Sequence, residues 1–359
     1  MSFIRSTIRN IDWKLWAALG ILLSAGLLSL ASARPELFYK QLLWIVIGLG
    51  FVALFTVLDL RSFFGHASVS NIIYSITIAL LLITFVIAPR INGNRAWLLL
   101  GPFQFQPSEL AKLALIAVLA VFFAKRHIGI ARWKIIIGSL LYAVLPALII
   151  AAQPDMGSAL IIMGIWLGFL LVSGIPLRRL IIAGLFFVIA FALLWTSVFK
   201  EYQKDRIIGL FQPQQDPLGA NYNVIQSKIA IGAGGLTGRG FGQGTQTQLG
   251  FLPEAQTDFI FAAITEEGGA IAAVVVLGAF LWLIIRLLRI GMLVDGNVAK
   301  FLCLGTVVLF LIQFILNVGS VVGVLPVVGV TFPFVSYGGS SILVNLMLVG
   351  VIQSFYVKK

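Results

Sequence analysis

Apolar residues in this chain gather into long, nearly uninterrupted runs separated by short polar stretches. A helix needs about 20 apolar residues to cross the hydrocarbon core of a bilayer, with roughly 17 to 25 tolerated. Ten segments meet that requirement: Leu15–Ala33, Leu42–Leu58, Ile72–Ala88, Ser108–Ala124, Ile135–Ala152, Ser158–Ile175, Leu180–Phe199, Phe259–Ile285, Phe301–Val322 and Ser340–Val357. The pattern predicts an all-α polytopic membrane protein with ten transmembrane helices. The first run ends in Ala31-Ser32-Ala33, which imitates a signal-peptidase site. Nine further spans follow and the run is long for a signal peptide, so it reads as an uncleaved helix.

Two connections break the rhythm of short loops. Lys200–Asp258, between spans seven and eight, holds 59 residues, and loops of that length are usually functional or disordered. Within it, Tyr222, Val224, Ile225, Ile229 and Ile231 predict a short amphipathic helix at the membrane interface. Gly232–Gly250 then carries eight glycines in 19 residues. The second connection, Gly323–Gly339, has no charge and contains Pro326 and Pro333. Non-helical backbone that apolar belongs at membrane depth, buried in protein or lining a cavity. No internal repeat or soluble domain is visible, so residues 1–359 read as a single transmembrane domain in which the 200–258 loop carries part of a site.

Composition agrees: 60% of the 359 residues are hydrophobic, 11% are charged, and mean hydropathy is +1.05, against about 25% charged for a soluble domain. The net charge of +12 would suit nucleic acid, but the cations sit in short loops between apolar runs. An even number of spans puts both termini on one side. Fifteen of the 25 lysines and arginines, including Arg5, Arg61, Lys125, Arg178, Arg286 and Lys359, fall on that side with only Asp12, Asp59 and Asp295. By the positive-inside rule that face is cytoplasmic, and the 200–258 loop is extracytoplasmic. One cysteine, Cys303, excludes an intrachain disulfide, and two histidines, His66 and His127, do not by themselves build a zinc centre. No GxxxxGK[ST] motif is present, which argues against ATP-driven pumping.

Polar residues inside or beside the spans carry the candidate chemistry. Gln106-Pro107-Ser108-Glu109, with Lys112, opens span four. Proline at the first helical position, an acid in the first turn and an i,i+3 ion pair are all good helix starts, yet an ion pair at the membrane edge is costly enough to suggest a purpose. Asp155, in Gln153-Pro154-Asp155-Met156-Gly157, is placed to cap span six. Leu252–Phe261 joins the long loop to span eight. There Asp258 is again at a helix start, and Glu254, Glu266 and Glu267 complete the densest acidic cluster. The stretch before it, Pro217–Pro253, bears only Lys228 and Arg239 as cations. A carboxylate facing a cationic, amide-exposing loop suits acid–base work on a phosphorylated substrate. Gly238, Gly240, Gly242 and Gly244 do not form GxGxxG, which dismisses a dinucleotide site. Gly164/Gly168 and Gly319/Gly323, at GxxxG spacing, read as helix packing.

Across all ten spans the sequence resembles the SEDS family of shape, elongation, division and sporulation proteins. The residues that carry the likeness are Gln106–Lys112, Gln153–Gly157, Asp216-Pro217-Leu218-Gly219, Gln226–Gly232, Leu252–Phe261, and Leu325–Gly329 leading to Ser336-Tyr337-Gly338-Gly339-Ser340-Ser341. Gln226–Gly235 and Val327-Val328 look like the rod-shape branch rather than the division branch. Two departures are visible: Gln256 stands where the family often has histidine, and Arg95-Ala96-Trp97 shifts an arginine that often adjoins the tryptophan.

The resemblance implies a peptidoglycan glycosyltransferase that polymerises lipid II at the outer face of the bacterial cytoplasmic membrane during cell elongation. A sugar hydroxyl attacks the anomeric carbon of a second lipid-linked disaccharide and expels polyprenyl pyrophosphate, with inversion. Asp258 is then the general base. Lys228, Arg239 and the glycine-rich backbone face the pyrophosphate, and Glu109, Lys112, Asp155, Glu254 and Ser336 contribute to substrate binding. The implied partners are a class B penicillin-binding protein acting as transpeptidase and the elongation machinery. A divalent cation, Mg2+ or Mn2+, is compatible with this chemistry, although no ligand cluster names one. The competing readings are a lipid II flippase or other carrier, which ten spans and a broken helix suit equally, and a scaffold for the transpeptidase.

Overall fold

The structure is a computed structural model that describes residues 10–91, 93–101, 103–126, 132–179, 181–185 and 221–358, with isolated positions between 186 and 220. Its helices are α1 (Trp13–Ala33), α2 (Pro35–Val57), α3 (Leu60–Gly65), α4 (Ala67–Ile87), α5 (Pro107–Ala124), α6 (Trp133–Ala152), α7 (Met156–Val172), α8 (Tyr222–Gly234), α9 (Thr245–Gln248), α10 (Ile260–Leu293), α11 (Asn297–Val321) and α12 (Gly339–Val357). Eight of them are long and apolar enough to span a membrane, and α7, at 17 residues, is a ninth apolar helix. These match nine of the ten expected spans. Of the tenth, Leu180–Phe199, only 181–185 and two isolated positions are among the described residues, and Asp216–Leu218 lies outside them. The chain also contains one element that the apolar pattern does not predict. It is an antiparallel hairpin of β1 (Leu98–Leu100) and β2 (Phe103–Phe105), with Leu98 opposite Phe105, leading into α5.

The bundle is built around α5. Its alanines at 111, 114, 117, 120 and 124 recur at helical spacing and let neighbours approach closely, as small residues do where no water drives helices together. Sixteen of its 18 residues are buried, against α4, α6, α7, α11 and α12. By contrast α2 and α4 keep Val46, Leu54, Ile76 and Val86 exposed, the expected dress of a lipid-facing surface. The GxxxG pair Gly164/Gly168 packs as anticipated: added Cβ atoms would stand 2.8 Å from Ile312 and 2.3 Å from Val308 of α11.

α1 and α10 pair antiparallel along their length. Asp12 caps α1 by accepting from Leu15 N (3.1 Å) and forms an ion pair with Arg286. Trp282 Nε1 donates to Lys14 O (3.3 Å), and at the other end Ser32 Oγ donates to Glu267 Oε1 (2.5 Å). At 34 residues, α10 would be about 51 Å long, far more than a bilayer core needs. It is broken at Gly269, whose φ of 70° and ψ of −173° fall where essentially only glycine is found. The glycine-rich segment fills the break. Arg239 N and Gly240 N donate to the carbonyls of Glu266 and Glu267 (2.9 and 3.0 Å), while Ala270 N and Ile271 N donate to those of Gly235 and Leu236 (2.9 and 3.2 Å).

Candidate active site

Four helix starts and one non-helical loop meet at the same end of the bundle. Gln106, just before α5, donates its backbone N–H to Ser340 Oγ of α12 (3.0 Å) and its side-chain Nε2 to Asp155 Oδ2 before α7 (2.9 Å). Asp155 is buried, and its Oδ1 accepts from Ser158 N (3.1 Å), so it caps α7 as its position suggests. Ser108 Oγ reaches the same carboxylate and Ser158 Oγ (3.4 and 3.3 Å). With these bonds Asp155 ties the starts of α5 and α7 together, and the Gln106 N–H extends the tie to α12.

Asp258 lies two residues before α10. The cap position itself belongs to Phe259, which makes no side-chain cap bond, one residue after Asp258. The Asp258 carboxylate is half-buried against the Gly323–Gly339 connection. A side chain on Gly329 (φ 71°) would begin 3.8 Å from Asp258 Oδ2. One residue earlier, the Val328 carbonyl lies 2.2 Å from where a Cβ on Gly157 would stand. Two loop residues therefore separate the Asp155 network from the Asp258 turn.

Long-range hydrogen bonds hold that turn in place. Asn317 of α11 donates Nδ2 to both Asp258 O and Val330 O (2.9 and 2.8 Å). Tyr337 N donates to Gln256 O (2.9 Å) and Ser336 Oγ to Thr257 O (2.6 Å), while Ser336 Oγ accepts from Phe332 N (2.8 Å). Gln41 of α2 closes the far side by donating to Ser336 O (3.1 Å) and accepting from Gly338 N (3.3 Å). Ser336, expected on the substrate, is buried with its hydroxyl fully engaged, so in this structure it is a clip between two loops. Glu254 is exposed in a left-handed conformation (φ 52°), and its Oε2 accepts from Thr257 Oγ1 (3.0 Å), bracing the turn locally. Phe334, also left-handed (φ 66°), is the second such residue in these joined loops, which is where backbone strain tends to collect. Burial pushes the Tyr337 phenol above its ordinary value, so it stays protonated at neutral pH.

One turn into α5, Lys112 Nζ donates to Glu109 Oε1 at 2.6 Å, and the two residues are only 1% and 4% exposed. Glu109 Oε2 has no hydrogen-bond partner. An orphaned oxygen at a buried ion pair is costly, which favours the functional reading of this pair over a simple helix start.

The cations lie apart. Lys228, exposed on α8, lays its Nζ within 2.5 Å of a Cβ position on Gly323, just past α11. Ser227 Oγ ties the same turn to Val321 O (2.7 Å). Ser227, next to Lys228, and the Asp258 carbonyl are thus both tied to the last turns of α11. Arg239 is exposed on the glycine-rich segment beside the Gly269 break. The expected acidic cluster divides. Glu266 is buried, and its carboxylate accepts from Gln246 N, Thr247 N and Thr247 Oγ1 (2.7, 3.0 and 2.7 Å). Glu267 binds Ser32 and Gln248. These two carboxylates anchor the 245–248 turn of the long loop rather than joining Asp258. Among the described residues no three histidine, cysteine, aspartate or glutamate side chains converge as a metal site.

Residues 9–359 match the family model for cell cycle proteins of the FtsW, RodA and SpoVE type. The peptidoglycan glycosyltransferase MrdB of Escherichia coli K12 is 38% identical over 284 residues, covering 79% of this chain and 76% of that protein. Stage V sporulation protein E of Bacillus subtilis is 34% identical over 346 residues, 92% and 93% of the two chains. Among solved structures, the rod shape determining protein RodA of Thermus thermophilus superposes with a TM-score of 0.72 at 30% identity, covering 96% of each chain. A chain from a peptidoglycan synthase complex that coordinates polymerization and crosslinking superposes at 0.81, with 30% identity over 96% of this chain and 97% of that one. The chain belongs to the SEDS family. In this SEDS chain the motifs Gln106–Lys112, Gln153–Gly157, Leu252–Phe261 and Leu325–Ser341 are the segments that the hydrogen bonds above gather at one end. Asn317 and Gln41 were not singled out in the sequence. A polar residue inside an apolar run was the available signal, but their partners lie far away in the chain.

Proposed function

We propose that this chain polymerises lipid II at the outer face of the cytoplasmic membrane, with Asp258 as general base. The chain is a peptidoglycan glycosyltransferase of the SEDS family, and the proposal concerns its substrate, its orientation and its residues. The observation that carries the reading is that the Asp258 turn and the start of α7 both pack on one non-helical loop, while Gln106 ties the start of α5, which carries the buried Glu109–Lys112 pair, to Asp155 and to Ser340 of α12. Helix N-termini present unpaired N–H groups and positive potential, which suits a substrate that loses its leaving group as a pyrophosphate anion. In this reading Asp258 takes the proton from the attacking sugar hydroxyl, and the anomeric carbon is displaced with inversion as pyrophosphate departs. Lys228 and Arg239 stabilise that departing charge, and Glu109 and Lys112 shape the polar floor. Ten spans, both termini cytoplasmic and a class B penicillin-binding protein as transpeptidase partner complete it, with the rod-like Gln226–Gly235 segment favouring elongation. No step is assigned to a divalent cation.

The test is Asp258→Asn in purified protein, assayed with labelled lipid II alone and with the transpeptidase. General-base catalysis contributes about 10²–10⁴-fold, so glycan product should fall by that order while thermal stability and partner co-purification hold. Asn keeps the shape of Asp and ranks nearly equal to it as a cap, so the amide should not disturb the start of α10. Near-normal product from the Asn variant would remove Asp258 as base. Polymerisation in detergent also separates the enzyme from a flippase, since flipping needs two compartments.

A further inference from the structure

The polar ties at the two ends of the α1–α10 pair measure a bilayer. The 21 residues of α1 rise about 31 Å, close to the thickness of a hydrocarbon core, about 30 Å. The Asp12–Arg286 ion pair therefore marks one boundary and the Ser32–Glu267 hydrogen bond the other. The glycine-rich segment is fastened at the second boundary. Gly242 N and Gln248 Nε2 donate to Ser32 Oγ (3.1 and 2.9 Å), and Gln248 Nε2 also donates to Glu267 Oε1 (3.0 Å).

Next to these polar ties stand large side chains with nothing to cover them: Leu236 at 76% exposure, Phe241 at 62% and Leu249 at 67%. Phe241 adjoins Gly242, and Leu249 adjoins Gln248. Leu236 is joined through its carbonyl to Ile271, itself 60% exposed on α10 together with Val274 at 68%. Exposed apolar residues of the spanning helix thus adjoin the hairpin at Leu236. Arg239, exposed between Leu236 and Phe241, puts a guanidinium at the level where lipid phosphates lie.

We propose that the 235–251 hairpin is a membrane-inserted loop whose Leu236, Phe241 and Leu249 side chains occupy the boundary layer of the phospholipid leaflet on that side, with Arg239 at the headgroup phosphates. Apolar residues that lie in an interface beside a basic group are held by buried area and by charge together. The carboxylates of Glu266 and Glu267 fasten the hairpin to the protein through Gln246, Thr247 and Gln248, and the N–H groups of Arg239 and Gly240 pair with the carbonyls of 266 and 267, which lowers the cost of lying in the boundary layer. The inference rests on Leu236, Phe241 and Leu249 and stands whether or not Asp258 is the base; its placement of Arg239 competes with a role for that residue at the pyrophosphate.

The test uses the full chain in a Cys303→Ala background, carrying Phe241→Cys or Leu249→Cys labelled with a small fluorophore. The protein is reconstituted into vesicles of phosphatidylethanolamine and phosphatidylglycerol. Quenching by lipids bearing a nitroxide at a shallow acyl position is compared with quenching by aqueous iodide. The inserted hairpin gives lipid quenching roughly twofold or more above iodide quenching at both positions, and shallow nitroxides quench better than deep ones. Iodide quenching that dominates at both positions would overturn the proposal, because the loop would then stand in water. Quenching by neither reagent would also overturn it, because a second copy or another protein would then cover the patch.

Discussion

Lys112 carries the sharpest consequence of burial at the level of single residues. Its ammonium is 1% exposed and its salt bridge to Glu109 is 2.6 Å long, so Lys112→Ala leaves a carboxylate in the middle of a helix bundle with no cation. Breaking a buried pair from one side costs about 3–5 kcal/mol. A large drop in the thermal midpoint of the detergent-solubilised protein is expected. The double variant Glu109→Leu/Lys112→Leu should regain most of that stability while remaining inactive, and a double variant with normal polymerisation would show the pair to be purely structural. Lys228→Ala is the opposite case, since Lys228 is exposed and its loss leaves nothing buried. Its effect should appear in rate and not in stability. Removing one donor to developing charge lowers rate by about 10²–10³-fold in enclosed sites, and solvation on an exposed helix makes that an upper bound. A wild-type polymerisation rate in this variant would separate α8 from the leaving group.

Among the secondary-structure elements, the break in α10 is the most demanding. Gly269→Ala must place a Cβ 2.3 Å from both Gly238 N and Leu236 O, in a backbone region that costs about 1–3 kcal/mol for other residues. The hairpin that spans the break should loosen, and Arg239, already exposed, should become the first site cut by trypsin. Faster cleavage there in the variant than in the wild type, followed by mass spectrometry, checks this. An unchanged cleavage rate would mean that the pairing of 235–240 with 266–271 does not depend on the glycine. The same element, at 34 residues, runs beyond the apolar run Phe259–Ile285. Apolar content defined its membrane portion, whereas the outer turns before Gly269 are organised by contacts with the hairpin and with the Asp258 turn.

For the molecule as a whole, the distribution of lysine and arginine sets the orientation. Gln215→Cys, in the Cys303→Ala background, should react with an impermeant maleimide added to intact cells. His66→Cys, exposed between α3 and α4, should react only after the cells are opened. The reverse pattern would invert the topology, and with it the face on which the site opens.

The sequence by itself determined nine of the spans now seen as helices, the Asp155 cap, the packing of Gly164 and Gly168, the short helix at Tyr222 and the non-helical character of Gly323–Gly339. All of these are local: run length, cap chemistry and residue size act within a few positions of one another. The family motifs named the segments of the site for the same reason. Only the tertiary structure decided that Ser336 clips the Asp258 turn, that Glu266 and Glu267 anchor the hairpin, and that Asn317 and Gln41 support the site. A buried polar atom must find a partner wherever the fold provides one, and here the partners lie tens to hundreds of residues away. Ser32 meets Glu267, Gln41 meets Ser336, and Gln106 meets Asp155 and Ser340, pairings that no window along the chain contains.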